Sequence, residues 1–266
     1  MQLRNLLVGL AILGIIFAVL EGLWPAIKGQ ARFRKGLGTD LAYWLFTPLV
    51  TSNITRIAVI VVAVIAALLM GAPLAGLKSW YAHRQTLVGQ QPIGAQILEM
   101  FLLGDLISYW MHRAFHGRRL WKFHAIHHGS PQLDWLSSVR VHPVNELLQR
   151  SVEAIPFVIL GFRPELVAGY APFLTSYAIL LHANVNWDFG PLRYVIATPF
   201  FHRWHHTSEK EGWDKNFAGL FPFIDALFGT LYLPVGKQPT RFGVAGTPVP
   251  DGLWAQLVWP FKRAAG

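Results

Sequence analysis

Residues 104–128 read GDLISYWMHRAFHGRRLWKFHAIHH and join an apolar helical stretch to five histidines. These are His112, His116, His124, His127 and His128. The first two lie four residues apart, and the last three form the pattern H-x2-H-H. Side chains three or four residues apart share one face of an α-helix, so each group can direct its imidazoles to one point. The stretch predicts an all-α fold whose helices carry histidines just beyond a membrane.

The apolar stretch before these histidines begins at Pro92. From there to His116 a helix measures roughly 36 Å, at about 1.5 Å per residue, so it crosses the bilayer core and projects its last turns. Two apolar runs precede it, at residues 6–20 and 57–77. We expect the first to be a retained helix rather than a cleaved signal peptide, because only Arg4 charges its start and no clear cleavage site follows.

Downstream, residues 146–162 and 164–187 predict a helical hairpin whose turn contains a glycine and a proline. His182 lies near the end of its second helix. A second H-x2-H-H follows, made of His202, His205 and His206. Residues 217–233 are rich in aromatic side chains and broken by a proline and a glycine, which is typical of an interfacial or re-entrant helix.

We therefore expect one integral membrane helical bundle over residues 1–266, with about three spanning helices plus the hairpin. Residues 1–92 would supply the N-terminal spanning helices and residues 93–234 the catalytic core. The segments on the histidine side hold most of the flanking Lys and Arg, including a predicted loop at residues 28–56. The positive-inside rule therefore places the histidine-rich di-metal cap on the cytoplasmic side.

Composition supports the membrane and narrows the chemistry. The chain is 53% hydrophobic and 14% charged, whereas soluble domains are about a quarter charged. It has no cysteine, which excludes disulfides, thiolate zinc sites and iron-sulfur clusters. The net charge of +9 fits basic residues flanking spans better than it fits a nucleic-acid partner. Any metal must be bound by histidine or carboxylate.

Nine of the 11 histidines lie just beyond predicted spans. They are His112, His116, His124, His127, His128, His182, His202, His205 and His206. Unmetallated imidazoles packed together would be costly to desolvate and would repel one another once protonated. A tetrahedral site takes four ligands, so two metals with four or five each is the simplest count. Imidazole alone does not choose among iron, zinc, copper and nickel. His83 stands alone, and we interpret it as an interfacial or capping residue.

Four stretches carry a resemblance to a known family. They are GDLISYWMHRAFH (104–116), LWKFHAIHHGSPQLDWLSSVRVHP (120–143), LLHANVNWDFGPLRYVIATPFFHRWHHTSE (180–209) and DKNFAGLFPFIDALFGTLYLP (214–234). Their ordered set resembles the fatty acid hydroxylase/sterol desaturase superfamily, in particular its short bacterial members. The last stretch is also similar to the alkylglycerol monooxygenases. The resemblance implies that the nine histidines bind two iron ions, and that the protein lies in a bacterial inner membrane.

Several further residues are candidates for the metals or for their surroundings. Where the superfamily often has H-x3-H, this chain has His182 and, at the position of the second histidine, Asn186. Asn186 either binds a metal through a water molecule or has a structural role. His142 matches a position near the metals in related hydroxylases. Asp105 precedes His112 by two helical turns and would orient a histidine, or else pair with Arg113 or a tyrosine. Asp188, Asp214 and Asp225 are similar candidates, the last on the resemblance alone. No separate acid or base is assigned.

A di-iron centre with O2 as co-substrate can hydroxylate a lipid C–H bond or desaturate it. Acyl, sterol-like and alkylglycerol substrates all fit a catalytic centre near the headgroup plane. Two electrons must come from outside, and a ferredoxin, rubredoxin or b-type cytochrome is the expected donor. The alternatives of another class are a haem-binding membrane cytochrome and a metal transporter. The sequence gives no indication of the oligomeric state.

Overall fold

The computed structural model describes residues 3–246 and 249–262. Within these residues the chain is helical and has no β-strand, as predicted, and only isolated bridges join Pro25 to Val185 and Thr207 to Phe242. The α-helices are α1 Leu3–Leu23, α2 Leu37–Phe46, α3 Ser52–Leu69, α4 Leu77–His83, α5 Ile93–Phe115, α6 Trp121–His128, α7 Pro143–Leu160, α8 Pro164–His182, α9 Pro199–His205, α10 Pro222–Leu227 and α11 Leu253–Val258.

The second apolar segment starts earlier than the sequence suggests. A π-helical turn, Thr47–Thr51, joins α2 to α3, so Leu37–Leu69 is one helical unit of 33 residues. The wider turn accommodates Pro48, which has no N–H to donate. The prediction of a loop over residues 28–56 is therefore wrong from Leu37 onward. The helix also ends at Leu69 rather than near residue 77, because Gly71 adopts a φ of 85°.

Two segments of the described chain are long and apolar enough to cross a membrane, Leu3–Leu23 and Leu37–Leu69. Both expose large aliphatic side chains, as lipid-facing helices do; Ile15 is 69% and Ile57 65% exposed. Helix α5 starts directly after Pro92, as predicted. It is not one of the two segments that are long and apolar enough to cross a membrane. That α5 crosses the bilayer stays a prediction.

The predicted hairpin is present as α7 and α8, which are joined through Gly161 with a φ of 75°. Helix α7 packs against α3 and α5, and α8 packs against α9. The second helix of the hairpin ends at His182 rather than at residue 187. The hairpin thus ends where the histidines gather.

The segment at residues 217–233 differs from the prediction. Only Pro222–Leu227 is helical, and Phe217, Leu220 and Ile224 are buried. Phe217 and Ile224 pack in one core with Tyr109 of α5. The helix is therefore only 6 residues long, and the rest of the segment is a loop whose backbone is held by side chains. Its position at a membrane interface stays a prediction.

Candidate metal centre

The nine clustered histidines come together at one end of the bundle in two adjacent groups. The first contains His112, His116, His124, His128 and His205, and the second contains His127, His182, His202 and His206. Within each group the ring nitrogens lie within 4.8 Å of one another. No aspartate or glutamate of residues 3–246 and 249–262 joins either group. We call them the five-histidine group and the four-histidine group.

Four helices carry these side chains at or next to their C-terminal ends. Helix α5 ends at the first two histidines, and after a turn α6 carries the next three. The last residue of α8 is His182. Helix α9 brings the remaining three, and it starts at a fixed point because Thr198 accepts a 3.1 Å hydrogen bond from the N–H of Phe201. All nine imidazoles are buried or half-buried.

Four histidines donate Nδ1–H to backbone carbonyls. The pairs are His112 with Phe217 at 2.7 Å, His127 with Arg140 at 3.2 Å, His182 with Ala178 at 2.7 Å and His205 with Lys215 at 2.8 Å. A carbonyl oxygen only accepts, so each Nδ1 must carry the proton. In the neutral ring, Nε2 is then left with a free lone pair, which is the form that binds a metal.

Two further histidines are held by side chains. Nδ1 of His124 lies 2.8 Å from Oδ1 of Asn145, and Nδ1 of His116 lies 3.1 Å from Oδ1 of Asp214. The hydrogen bond to His116 lowers the pKa of Asp214 below its ordinary value. This contact agrees with the sequence-based choice of Asp214. Asn145 was not predicted, since its partner is 21 residues away and a polar residue on an apolar helix was the only signal.

The free Nε2 atoms face one another at short distances. Those of His127 and His182 are 3.2 Å apart, and those of His112 and His124 are 3.0 Å apart. With metal–nitrogen bonds of about 2.1 Å, two imidazoles on one ion are roughly 3.0 to 3.4 Å apart. Two lone pairs at such a distance repel unless a cation lies between them. The histidine groups therefore fit a metal site.

Burial keeps six histidines of this centre neutral. Desolvation, followed by neighbouring imidazoles, lowers the pKa well below its ordinary value for six histidines of α6 and α9. These are His124, His127, His128, His202, His205 and His206. Metal ligation requires unprotonated imidazole, so the protein has them in the ligating form at neutral pH.

Two cavities reach the histidines from different directions. The cap cavity, of about 270 Å³, is lined by His116, His128 and His205 together with Arg118 and Trp121. The inner cavity, of about 220 Å³, is bounded by α5, α7 and α8. Its histidines are His112, His124, His127, His182 and His202. Both cavities reach the five-histidine group, and the inner cavity also reaches the four-histidine group.

His142 and Asn186, which were candidates for metal contact, are not part of the cluster. Nδ1 of His142 accepts from the N–H of Val144 and Nε2 donates to the carbonyl of Leu257, so neither nitrogen is left for a metal. His142 is the N-cap of α7. Asn186 is exposed and accepts a hydrogen bond from Gln238. Of the alternatives left open for the two residues, the geometry favours a structural role over metal contact.

The carboxylates Asp188 and Asp105 also act elsewhere than predicted. Asp188 accepts from the N–H of Gly190 and pairs with Arg193, away from both groups. Asp105 forms no hydrogen bond with a histidine, with Arg113 or with a tyrosine of the described residues. It accepts three backbone N–H groups, those of Gly219, Leu220 and Phe221, at 2.7 to 3.0 Å.

Asp225 completes the support of this loop. It accepts from the N–H groups of Phe217 and Ala218 at 2.7 and 2.9 Å, while the carbonyl of Phe217 accepts from His112. Asp105 and Asp225 therefore position His112 indirectly, by fixing the backbone that its ring contacts. Sequence spacing placed Asp105 beside the histidine; the structure shows that it acts on a loop 114 residues away.

Comparison with known proteins gives a consistent result. The model of the fatty acid hydroxylase family matches residues 97–230. Ornithine lipid hydroxylase OlsE of Rhizobium tropici is 30% identical over 65% of this chain and 53% of its own. Alkylglycerol monooxygenase of Danio rerio is 32% identical over 49% of this chain and 29% of its own. Very-long-chain aldehyde decarbonylase GL1-7 of Oryza sativa is 30% identical over 52% of this chain and 24% of its own. No solved structure matches.

Proposed function

The chain belongs to the fatty acid hydroxylase family, and from this premise we propose that it is a membrane-bound non-haem di-iron oxygenase that hydroxylates a C–H bond in a lipid. The chain spans about half the length of the bacterial relative and less than a third of the other two. Their names refer to an ornithine lipid, alkylglycerols and aldehydes. A fatty acyl, sterol-like or alkylglycerol substrate is accordingly part of the proposal, and a desaturase with the same centre is the near alternative.

The observation that carries the proposal is the pairing of free Nε2 atoms across four different helices. His127 and His182 come from α6 and α8, and each has its Nδ1 committed to a carbonyl. Nine imidazoles in groups of five and four suit two ions better than one. We assign the nine clustered histidines as ligands of two iron ions.

The geometry is unfavourable for the alternatives of another class. A haem needs two axial histidines on opposite faces of a wide porphyrin ring, whereas neighbouring Nε2 atoms here are 3.0 to 3.3 Å apart. A metal transporter would need polar groups along its spans. Each of the two apolar segments contains an 18-residue window with at most two charged residues. A lipid-modifying enzyme is therefore the better interpretation.

Iron bound by the two groups would supply the reduction of O2 and the oxidation of the C–H bond. Hydroxylation consumes one O2, two electrons and two protons, and it yields the alcohol and one water. Desaturation consumes the same reactants and yields the alkene and two waters. The protein's own part is to hold the ligands neutral and correctly oriented, and to admit lipid to a cavity beside them. We assign no separate acid or base residue.

The two electrons would arrive from a cytoplasmic carrier, which we propose to be a ferredoxin, a rubredoxin or a b-type cytochrome. Four exposed cations, Arg113, Arg118, Arg119 and Lys122, surround the histidine end, and Arg118 lines the cap cavity. Such a surface suits an acidic carrier. This arrangement is consistent with the charge pattern that predicts histidines facing the cytoplasm. The bacterial inner membrane, which the family resemblance implies, is part of the same proposal.

Comparative lipidomics tests the proposal directly. Cells expressing the full chain should contain a lipid heavier by one oxygen atom, or lighter by two hydrogen atoms for the desaturase. Cells expressing His205→Ala should lack it, and cells expressing the exposed control His83→Ala should retain it. An unchanged lipid profile, measured with each of the three proposed electron carriers co-expressed, would contradict the proposal.

A further inference from the structure

A third cavity, of about 550 Å³, lies between α3, α7 and α8 and is larger than either cavity beside the histidines. We call it the lateral cavity. It shares Ser52, Glu146, Arg150 and Thr175 with the inner cavity, so the two cavities adjoin, and the inner cavity reaches the histidines. We call the adjoining pair the passage and the shared residues its junction. Glu146 directly follows Asn145, which holds His124.

The far part of the lateral cavity is apolar. Its lining there comes from Val59, Ala154, Phe157, Val167, Ala168 and Ala171. Val59 lies on the apolar segment Leu37–Leu69, and Ala154 and Phe157 lie on α7, which packs against it. Such a lining favours a hydrocarbon chain over water.

The junction, in contrast, is built from paired charges. Arg150 donates from Nε to Glu146 at 3.1 Å and from Nη1 to Glu153 at 2.9 Å. Gln149 bridges Ser108 and Glu153 at 2.9 and 3.1 Å. The Arg150 and Glu146 side chains are 17% and 27% exposed, so both still face the passage. Arg150 is already neutralised, and it offers no free positive charge to an anion.

The charges along the passage balance. Glu146 and Glu153 are offset by Arg150 and by Arg56, which lines the lateral cavity from α3. A carboxylate head placed at the junction would meet two carboxylates. A neutral linkage with one donor and one acceptor, such as an amide, can donate to Glu146 and accept from Arg150 without adding charge.

We propose that this passage is the substrate site of the enzyme, and that Glu146 and Arg150 select an amphiphile with a neutral hydrogen-bonding linkage over a free fatty acid. That the bound lipid is a substrate rests on the proposed function. The hydrocarbon chain lies in the apolar end of the lateral cavity, and the linkage lies at the junction. Glu146 and Arg150 are specificity-determining residues in this account.

Photolabelling tests the proposal without turnover. The probe is palmitamide with a diazirine near its chain end, added to the full chain purified in detergent. Crosslinks mapped by mass spectrometry should fall on the apolar end, at residues such as Ala154 and Val167. Unlabelled palmitamide should compete about tenfold better than palmitate, the effect expected of one hydrogen bond to a charged group. Labelling in the cap cavity, or equal competition, would overturn the proposal.

A conservative substitution of Glu146 separates the effect of its charge from that of its hydrogen bond. Glu146→Gln retains an oxygen for the hydrogen bond with Arg150 but removes one negative charge, so palmitate should gain on palmitamide by about tenfold. Glu165→Gln is the matched control, because Glu165 is exposed and lines none of these cavities, and it should leave the ratio unchanged. An unchanged ratio in Glu146→Gln would refute the role of that residue. A lipid profile that fails to change on expression, with labelling as expected, would instead refute the proposed oxygenase.

Discussion

The Nε2 atoms of His127 and His182 lie 3.2 Å apart, while the Nδ1 atom of each ring donates to a backbone carbonyl. Since a carbonyl cannot donate, the protons are fixed on Nδ1 and the two lone pairs meet. The two histidines are 55 residues apart in the chain, so the fold itself imposes this arrangement. We expect this arrangement of the two rings to bind a metal ion.

His127→Ala and His205→Ala should each remove bound iron and abolish product formation. One variant removes a ligand from the four-histidine group and the other from the five-histidine group. Iron per chain and product in the lipid extract are the measurements. His83→Ala should be nearly silent, because His83 is exposed and bonds only within its own helix. Full iron content and full activity in either cluster variant would contradict the ligand assignment.

Asp214→Asn should weaken metal binding at the five-histidine group by about 10- to 100-fold, because Asp214 orients His116 and strengthens it as a ligand. Metal affinity of the metal-free protein can be measured by competition with a chromophoric chelator. Glu211→Gln is the control, since Glu211 is exposed nearby and pairs with Lys237 rather than with a histidine. Equal affinities for the two variants would show that Asp214 does not support the metal.

Asp105→Asn should lower the melting temperature by roughly 5 to 10 °C, which corresponds to about 2 to 3 kcal/mol. The amide leaves one oxygen to accept where the carboxylate accepts from three backbone N–H groups. Metal affinity should fall as well, because the loop carries the carbonyl that orients His112. Asp188→Asn removes an exposed ion pair and should shift the melting temperature by about 1 to 2 °C at most. Similar losses in both variants would argue against an anchoring role.

The metal-free protein should lose stability as the pH falls below about 6.5. The pKa is lowered on folding for six histidines of α6 and α9, so the unfolded chain binds more protons than the folded one in this range. Stability is therefore present above the ordinary histidine pKa and decreases on acidification. The raised pKa of Asp225 acts in the opposite direction. A melting temperature that is constant or rises between pH 8 and pH 5 would contradict this.

The elements of the fold were largely predictable, because apolar runs and helical spacing are local signals. The start of α5 after Pro92 and the turn at Gly161 are read directly from the residues. The helix from Leu37 to Leu69 was missed in its first half, since Pro48, Thr51 and Ser52 have the composition of a loop. A π-helical turn allows those residues to continue the helix, and no sequence pattern predicts such a turn.

The histidines of the centre were also predictable, whereas their supports were not. His142 was a candidate because it matches a position near the metals in related hydroxylases, and Asp105 because it lies two helical turns before His112 within a span. The structure shows them satisfied by groups far along the chain, the carbonyl of Leu257 and the loop at residues 219–221. The choice of partner for a buried polar group depends on tertiary packing, which sequence spacing does not encode.

The measurement that tests the central claim most directly is the metal content of the purified full chain, together with its absorption spectrum. The account predicts about two iron ions per chain and no Soret band, with loss of iron in His127→Ala and His205→Ala. A Soret band, or full activity in protein that contains no iron, would contradict it.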